Sequence, residues 1–273
     1  MKKRHITTLL AVISLGLLSS APVLAENAGN SDDDTVAQAE ELGNAKATVI
    51  EAAAVVKQID ADADARQMLN RAKAVFIVPD YARASFIAGA SGGQGVLISQ
   101  NDNGWSAPAF YNIGGISFGA TAGIEGGSIA FMLLSDNALQ GFESENNFSL
   151  NADAGLTIVD WSERAQASAG KGPDVVVWSD TEGLYGNLSV SVTDIYWDEE
   201  ANAAYYGGTV KPDAIITGKV SDPMKNSDLR SEFSALEEGG SNGQTQNQGQ
   251  SQGQSQGQGQ KGNTSGPANQ NGQ

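Results

Sequence analysis

Carboxylates, glycine-flanked amides and a short run of cations are the groups in this sequence that could do chemistry. Asp60-x-Asp62-x-Asp64 has the alternation that opens a calcium loop. The glycine such a loop needs at its sixth place is Ala65, and the glutamate at its twelfth is Arg71, so the run reads as an acidic helix start. Gly89-Ala-Ser-Gly92-Gly93-Gln-Gly95 invites a phosphate-loop reading, but no Lys-Ser/Thr pair or G-x-G-x-x-G spacing accompanies it. It reads as a tight turn needing positive φ, or as a bend in a sheet. Glu125, Asp153 and Asp194 could supply the paired carboxylates of a glycoside hydrolase, which needs no histidine. With 32 acidic residues in the chain such a pair arises from composition alone, so a carboxylate-based hydrolase is the remote reading. Arg66, Arg71, Lys73 and Arg83 form the one basic stretch, opposed between 66 and 83 by Asp80 alone. They are the candidate contacts to a phosphate head group. Phe86, Trp105, Phe110 and Tyr111 are the candidate apolar contacts beside it, with core packing as the competing role.

Composition removes most other chemistry. The 273 residues contain no Cys and one His, His5. No thiolate nucleophile and no thiolate metal site can form, and His5 lies in what reads as a leader. The body is left without an imidazole base or ligand. No cofactor is expected, and the chain reads as a non-enzyme. A formal charge of −16 argues against nucleic acid as a partner. Charge is uneven: residues 66–118 carry four basic and two acidic residues, whereas 119–210 carry two basic and 14 acidic.

These residues must be positioned by a body between two atypical ends. Residues 1–25 have a basic start, an apolar run from Ile6 to Leu18 and Pro22-Val23-Leu24-Ala25 before Glu26. That is the pattern of a signal peptide cleaved after Ala25, which makes the protein periplasmic or secreted. Residues 26–34 form a polar lead. Residues 238–273 form a Gln/Gly/Asn-rich tail; from 239 onward its 35 residues include 11 Gln, 10 Gly and 5 Asn. Such a tail buries too little apolar surface to offset its ordering entropy, so disorder is expected.

In the body, 35–237, Thr35 could cap a helix running to about Lys57, and a second helix fits about 62–73. From Ala74 the pattern turns to β. Val75–Val78 is an apolar run stopped by Pro79, and Ser85–Ala90 and Val96–Ser99 flank the glycines. Ala107–Ile113, Ile116–Ile124, Ile129–Leu134, Phe148–Ile158, Asp174–Ser179, Leu184–Thr193 and Ala204–Tyr206 are further strand candidates. Short helices are expected at Ser135–Gly141, Asp213–Gly218 and Asp222–Leu236. The fold class is α+β: N-terminal helices on a curved, barrel-like antiparallel sheet, then short closing helices.

Six short motifs in order carry a family resemblance. They are Ala72–Pro79 (AKAVFIVP), Phe86–Leu97 (FIAGASGGQGVL), Trp105–Tyr111 (WSAPAFY), Gly114–Gly119 (GGISFG), Gly183–Gly186 (GLYG) and Ala204–Gly207 (AYYG). Over roughly 35–237 the chain resembles the SYLF (DUF500) lipid-binding domain family, and with its leader it is identified as an exported bacterial member. The resemblance implies a non-enzymatic domain. Eukaryotic members bind phosphoinositides, aided by a basic N-terminal helix, and some fungal members bind actin. Here the first helix carries Glu40, Glu41 and Glu51 beside Lys46 and Lys57, and Asp80 stands where the family often has Lys. The expected partner is a lipid or membrane surface, with a divalent cation as one means of bridging to an acidic body. Actin is not expected to meet an exported protein. An interaction protein of the cell envelope, working through its tail without lipid, is the alternative.

Overall fold

The computed structural model describes residues 30–85, 88–118, 123–150, 155–161, 172–180, 192–225 and 228–236. The leader through Ala25, the start of the polar lead and the Gln/Gly tail therefore lie outside the described residues, as does most of the expected strand Leu184–Thr193.

Helix α1 spans Asn30–Asp60 and begins five residues before Thr35. Asp32, Asp33 and Asp34 fall in its first turns. Ala45, Val49, Ala52, Val56 and Ile59 recur at helical spacing and are buried. Residues 35–40 are exposed throughout, so this part of α1 makes no core. Helix α2 is Ala63–Leu69, shorter than the expected 62–73. Asp62 caps it by accepting from the backbone amides of Asp64 and Ala65.

The strands are β1 (Ala74–Ser85), β2 (Ala88–Asn101), β3 (Gly104–Trp105), β4 (Ala109–Phe118), β5 (Gly123–Leu133), β6 (Phe148–Leu150), β7 (Ile158–Asp160), β8 (Val175–Ser179) and β9 (Val192–Trp197). They form one sheet in the order β6-β9-β4-β2-β1-β5-β8-β7, with β3 paired to β2. All pairs are antiparallel except β7 with β8, which is parallel, so the sheet is mixed at one edge. The expected strand Phe148–Ile158 is divided: its ends belong to β6 and β7 at opposite edges of the sheet.

Pro79 does not end β1. The register with both neighbours shifts between about residues 77 and 82, and a bulge there absorbs the missing N–H. The glycine cluster likewise lies inside β2 instead of forming a turn. A Cβ at Gly95 would sit 2.6 Å from the Ile77 carbonyl oxygen and 2.7 Å from Phe76 Cε2. One at Gly93 would sit 2.7 Å from the Asp80 oxygen. The bend reading holds and the positive-φ reading does not: the strand needs glycine because a bent β1 presses on it.

Both faces of the sheet are buried. Val75, Ile77, Val96, Ile98 and Phe110 face a core shared with α1 and α2. Ala74, Phe76, Val78, Leu97 and Tyr111 face a second core. Helix α3 (Asp136–Gln140) and the 3-10 turn Gly141–Glu143 bring Ala138 and Phe142 to the second core. Helix α4 (Glu199–Tyr206) replaces the strand expected at Ala204–Tyr206. Asp198 caps α4, and Gly207 ends it at φ 71°. Helix α5 (Pro212–Ile216) sends Ile215 and Ile216 into the second core. Residues 228–236 form α6, whose Leu229, Phe233 and Leu236 close the first core. The result is an α+β fold with N-terminal helices on a strongly curved sheet and short closing helices.

Candidate functional site

The four cations picked out in the sequence are not gathered into one free patch. Arg66 on α2 reaches back to Asp60: its Nε lies 2.5 Å from Asp60 Oδ1, and its Nη2 donates to the Asp60 carbonyl at 2.7 Å. With Asp62 as cap, this accounts for two of the three acids in the calcium-like run. Lys73 Nζ lies 2.5 Å from Asp136 Oδ1 in the first turn of α3. Arg71 is exposed in the turn between α2 and β1. Arg83 lies on β1 in register with Ser91 and Glu125, and its side chain is outside the described residues.

The aromatic candidates go mainly to the cores. Trp105 packs on Phe233 with centroids 4.3 Å apart. Phe110 packs on Tyr205 at 5.0 Å. Tyr111, on the opposite sheet face, is fully buried and donates its hydroxyl to the Phe142 carbonyl. Phe86 lies outside the described residues. Of the carboxylates, Glu125 is on β5 and Asp194 on β9, four places apart in the sheet order, while Asp153 is outside the described residues. Asp194 is exposed and has a φ of 67°.

A second polar cluster joins α1, β2, β4 and α4. Asp198 Oδ2 accepts from Gln94 Nε2 at 2.9 Å and from Asn112 Nδ2 at 2.7 Å, while Oδ1 accepts from the Ala201 amide. Thr48 Oγ1 donates to Gln94 Oε1 at 2.7 Å. Burial raises the Glu41 pKa, as do the nearby carboxylates of Asp198 and Glu200. The carboxylate at the centre of this cluster is saturated by donors from within the fold, which suits joining elements. Among the described residues no group of three or more His, Cys, Asp or Glu could hold a metal ion.

Two further cationic groups converge elsewhere. Lys225, Arg230, Ser231, Ser234 and Ala235 line a cavity of about 330 Å³. Its geometry follows from α6. Leu229, Phe233 and Leu236 turn into the core, so Arg230, Ser231, Ser234 and Ala235 are left on the outward side. Lys225 comes from the segment just before the helix. Glu232 is occupied by Lys57, Nζ to Oε1 at 3.1 Å. Among the described residues neither Lys225 nor Arg230 makes an ion pair. Two cations and two hydroxyls around an open cavity are groups that can pair with an anion of phosphate type. Its sequence signal was the apolar spacing at 229, 233 and 236, which turns Arg230 outward beside Lys225.

Residues 114–236 match the Ysc84 family, described as Las17-binding protein actin regulator. The cavity residues lie inside that stretch, whereas Arg66, Arg71, Lys73 and Arg83 precede it. The chain is 28% identical over 161 residues to LAS seventeen-binding protein 3 of Saccharomyces cerevisiae, covering 57% of this chain and 35% of that protein. Protein YSC84 of the same yeast is 29% identical over 161 residues, covering 57% and 34%. An SH3 domain-containing protein of Schizosaccharomyces pombe is 26% identical, covering 57% and 37%. The chain thus spans about a third of the length of the curated relatives it matches. No solved structure matches it. These relatives are fungal, which overturns the expectation of an exported bacterial member and, with it, the periplasmic or secreted location. The expectation that actin is an unlikely partner falls too, because the matched family is described by Las17 binding and actin regulation. Over residues 114–236 the chain is similar to the Ysc84 family.

Proposed function

We propose that this is a non-enzymatic domain that binds anionic lipid head groups at a membrane surface. The observation that carries the reading is the cavity of Lys225, Arg230, Ser231 and Ser234, whose two cations make no ion pair among the described residues. Arg71, with Arg66, Lys73 and Arg83, is proposed as a second line of contact. The whole chain is acidic, at −16, so attraction must be local. Each Lys or Arg close to an anionic surface contributes about 1 kcal/mol. Losing both cavity cations should therefore weaken binding roughly 30-fold.

Co-sedimentation of the full chain with phosphatidylcholine vesicles, with and without phosphatidylserine, tests this. Binding should need the anionic lipid, fall as salt rises and be lost in Lys225→Glu/Arg230→Glu. Arg71→Glu/Lys73→Glu should have the smaller effect. Equal binding to both vesicle types, or no change in the cavity variant, would sink the head-group reading.

An actin-linked protein partner is a second reading, favoured by the similarity to a Las17-binding, actin-regulator family and to LAS seventeen-binding protein 3. Pelleting the chain with filamentous actin tests it directly. Recovery of the chain only in the supernatant would remove it.

A further inference from the structure

We infer that Ser234 is a phosphorylation site whose phosphate occupies the Lys225/Arg230 cavity and shuts off anion binding there. The inference rests on the head-group reading of the same cavity. Ser234 is exposed on α6 and lines the cavity with both cations. It stands four residues after Arg230, the spacing that puts two helical side chains side by side. Glu237 and Glu238 follow at the third and fourth places, the arrangement that acid-directed serine kinases read.

The step is an ordinary phosphoryl transfer from a nucleoside triphosphate bound to such a kinase. The Ser234 Oγ–P bond forms and the bond between the β,γ-bridging oxygen and the γ-phosphorus breaks. The nucleoside diphosphate leaves, and the hydroxyl proton passes to the kinase base. The product carries about −1.5 to −2 charges at neutral pH, close to the +2 of Lys225 and Arg230 together. The cavity would then be filled and neutralised from within. An incoming head group would meet no net positive charge, and its binding should fall roughly tenfold or more.

The full chain, incubated with an acid-directed serine kinase and ATP, should gain one phosphate at Ser234 by mass spectrometry, and Ser234→Ala should gain none there. The phosphorylated chain should bind phosphatidylserine vesicles at least tenfold less well. Its melting temperature should rise by roughly 2–4 °C through the new ion pairs, and Arg230→Gln should cancel the rise. A chain that Ser234-directed kinase cannot modify overturns the inference. So does a phosphorylated chain that binds vesicles like the unmodified one while Lys225→Glu/Arg230→Glu does not bind, although the head-group reading then survives. If the unmodified chain binds no vesicle, the head-group reading fails by itself. The melting shift then decides whether the phosphate sits in the cavity, and an unchanged Arg230-independent melting temperature rejects that seat.

Discussion

Asp198 shows how a single carboxylate can tie separate elements together. It caps α4 and receives the side chains of Gln94 from β2 and Asn112 from β4, and Gln94 in turn receives Thr48 from α1. The cost of this concentration of negative charge falls on Glu41, whose pKa is raised above its ordinary 4.5 by burial first, then by Asp198 and Glu200. A raised carboxyl pKa means that the folded state holds its proton more tightly than the unfolded one. Ionised Glu41 therefore opposes folding above its folded pKa, and that penalty fades as pH falls toward 4.5. Glu41→Gln should stabilise the protein at pH 7 and make no difference below pH 4, read as urea midpoints at the two values. A variant less stable than the parent at pH 7 would mean that the carboxylate is worth more as an acceptor than it costs as a charge. Trp105, Phe110 and Tyr111 make the opposite point about reading single residues. Their clustering in the sequence allows a ligand stack or core packing, and alternation along β4 sends Phe110 and Tyr111 into different cores.

At the scale of the element, β2 is set by what lies beside it. Gly95→Ala would force a methyl carbon to within 2.6 Å of the Ile77 carbonyl oxygen, which is backbone and cannot turn aside. A loss of about 3 kcal/mol is expected, at the upper end for overpacking. Gly208→Ala, with nothing within 4 Å, should lie within about 0.5 kcal/mol of the parent, and the pair measured by urea denaturation checks the argument. Local patterns were enough to place α1, the short helix at Asp136–Gln140 and the run Val75–Val78, because each carries its own apolar spacing. They failed where a long-range neighbour decides. The glycines of β2 fit a turn or a sheet bend equally until β1 is seen pressing on them. Ala204–Tyr206 looks like a strand until Asp198 caps a helix around it. The site divided in the same way. A run of cations close in sequence was easy to see, but Asp60 and Asp136 had already claimed two of them. The pairing of Lys225 with Arg230 around one cavity became visible only once α6 had chosen its inward face.

Among the described residues, the buried apolar ones run from Ala45 to Leu236. Deleting residues 239–273 should therefore leave the urea midpoint unchanged within about 0.5 kcal/mol, while any loss of vesicle or actin binding would assign the Gln/Gly tail a role in contact. A clear fall in stability would place part of the tail against the body and would move the proposed domain limit at 237. The −16 charge and the two-cation cavity also act at different ranges: the first repels acidic partners at a distance, and the second holds a phosphate once contact is made. High salt should therefore weaken the grip of the cavity less steeply than a uniformly basic surface would require.

The burial of β1 on both faces has a consequence for how the protein is made. Ala74-Val75-Phe76-Ile77-Val78 is a continuous apolar strand with no charge, the kind of segment that pairs with its own copies when uncovered. Its cover on one face includes Leu229, Phe233 and Leu236 of α6, which a ribosome adds more than 140 residues later. At about 5–20 residues per second the nascent strand waits many seconds for that cover. Synthesis therefore passes through an interval in which α1 and α2, already made, and then the neighbouring strands β2 and β5 shield β1 before α6 arrives.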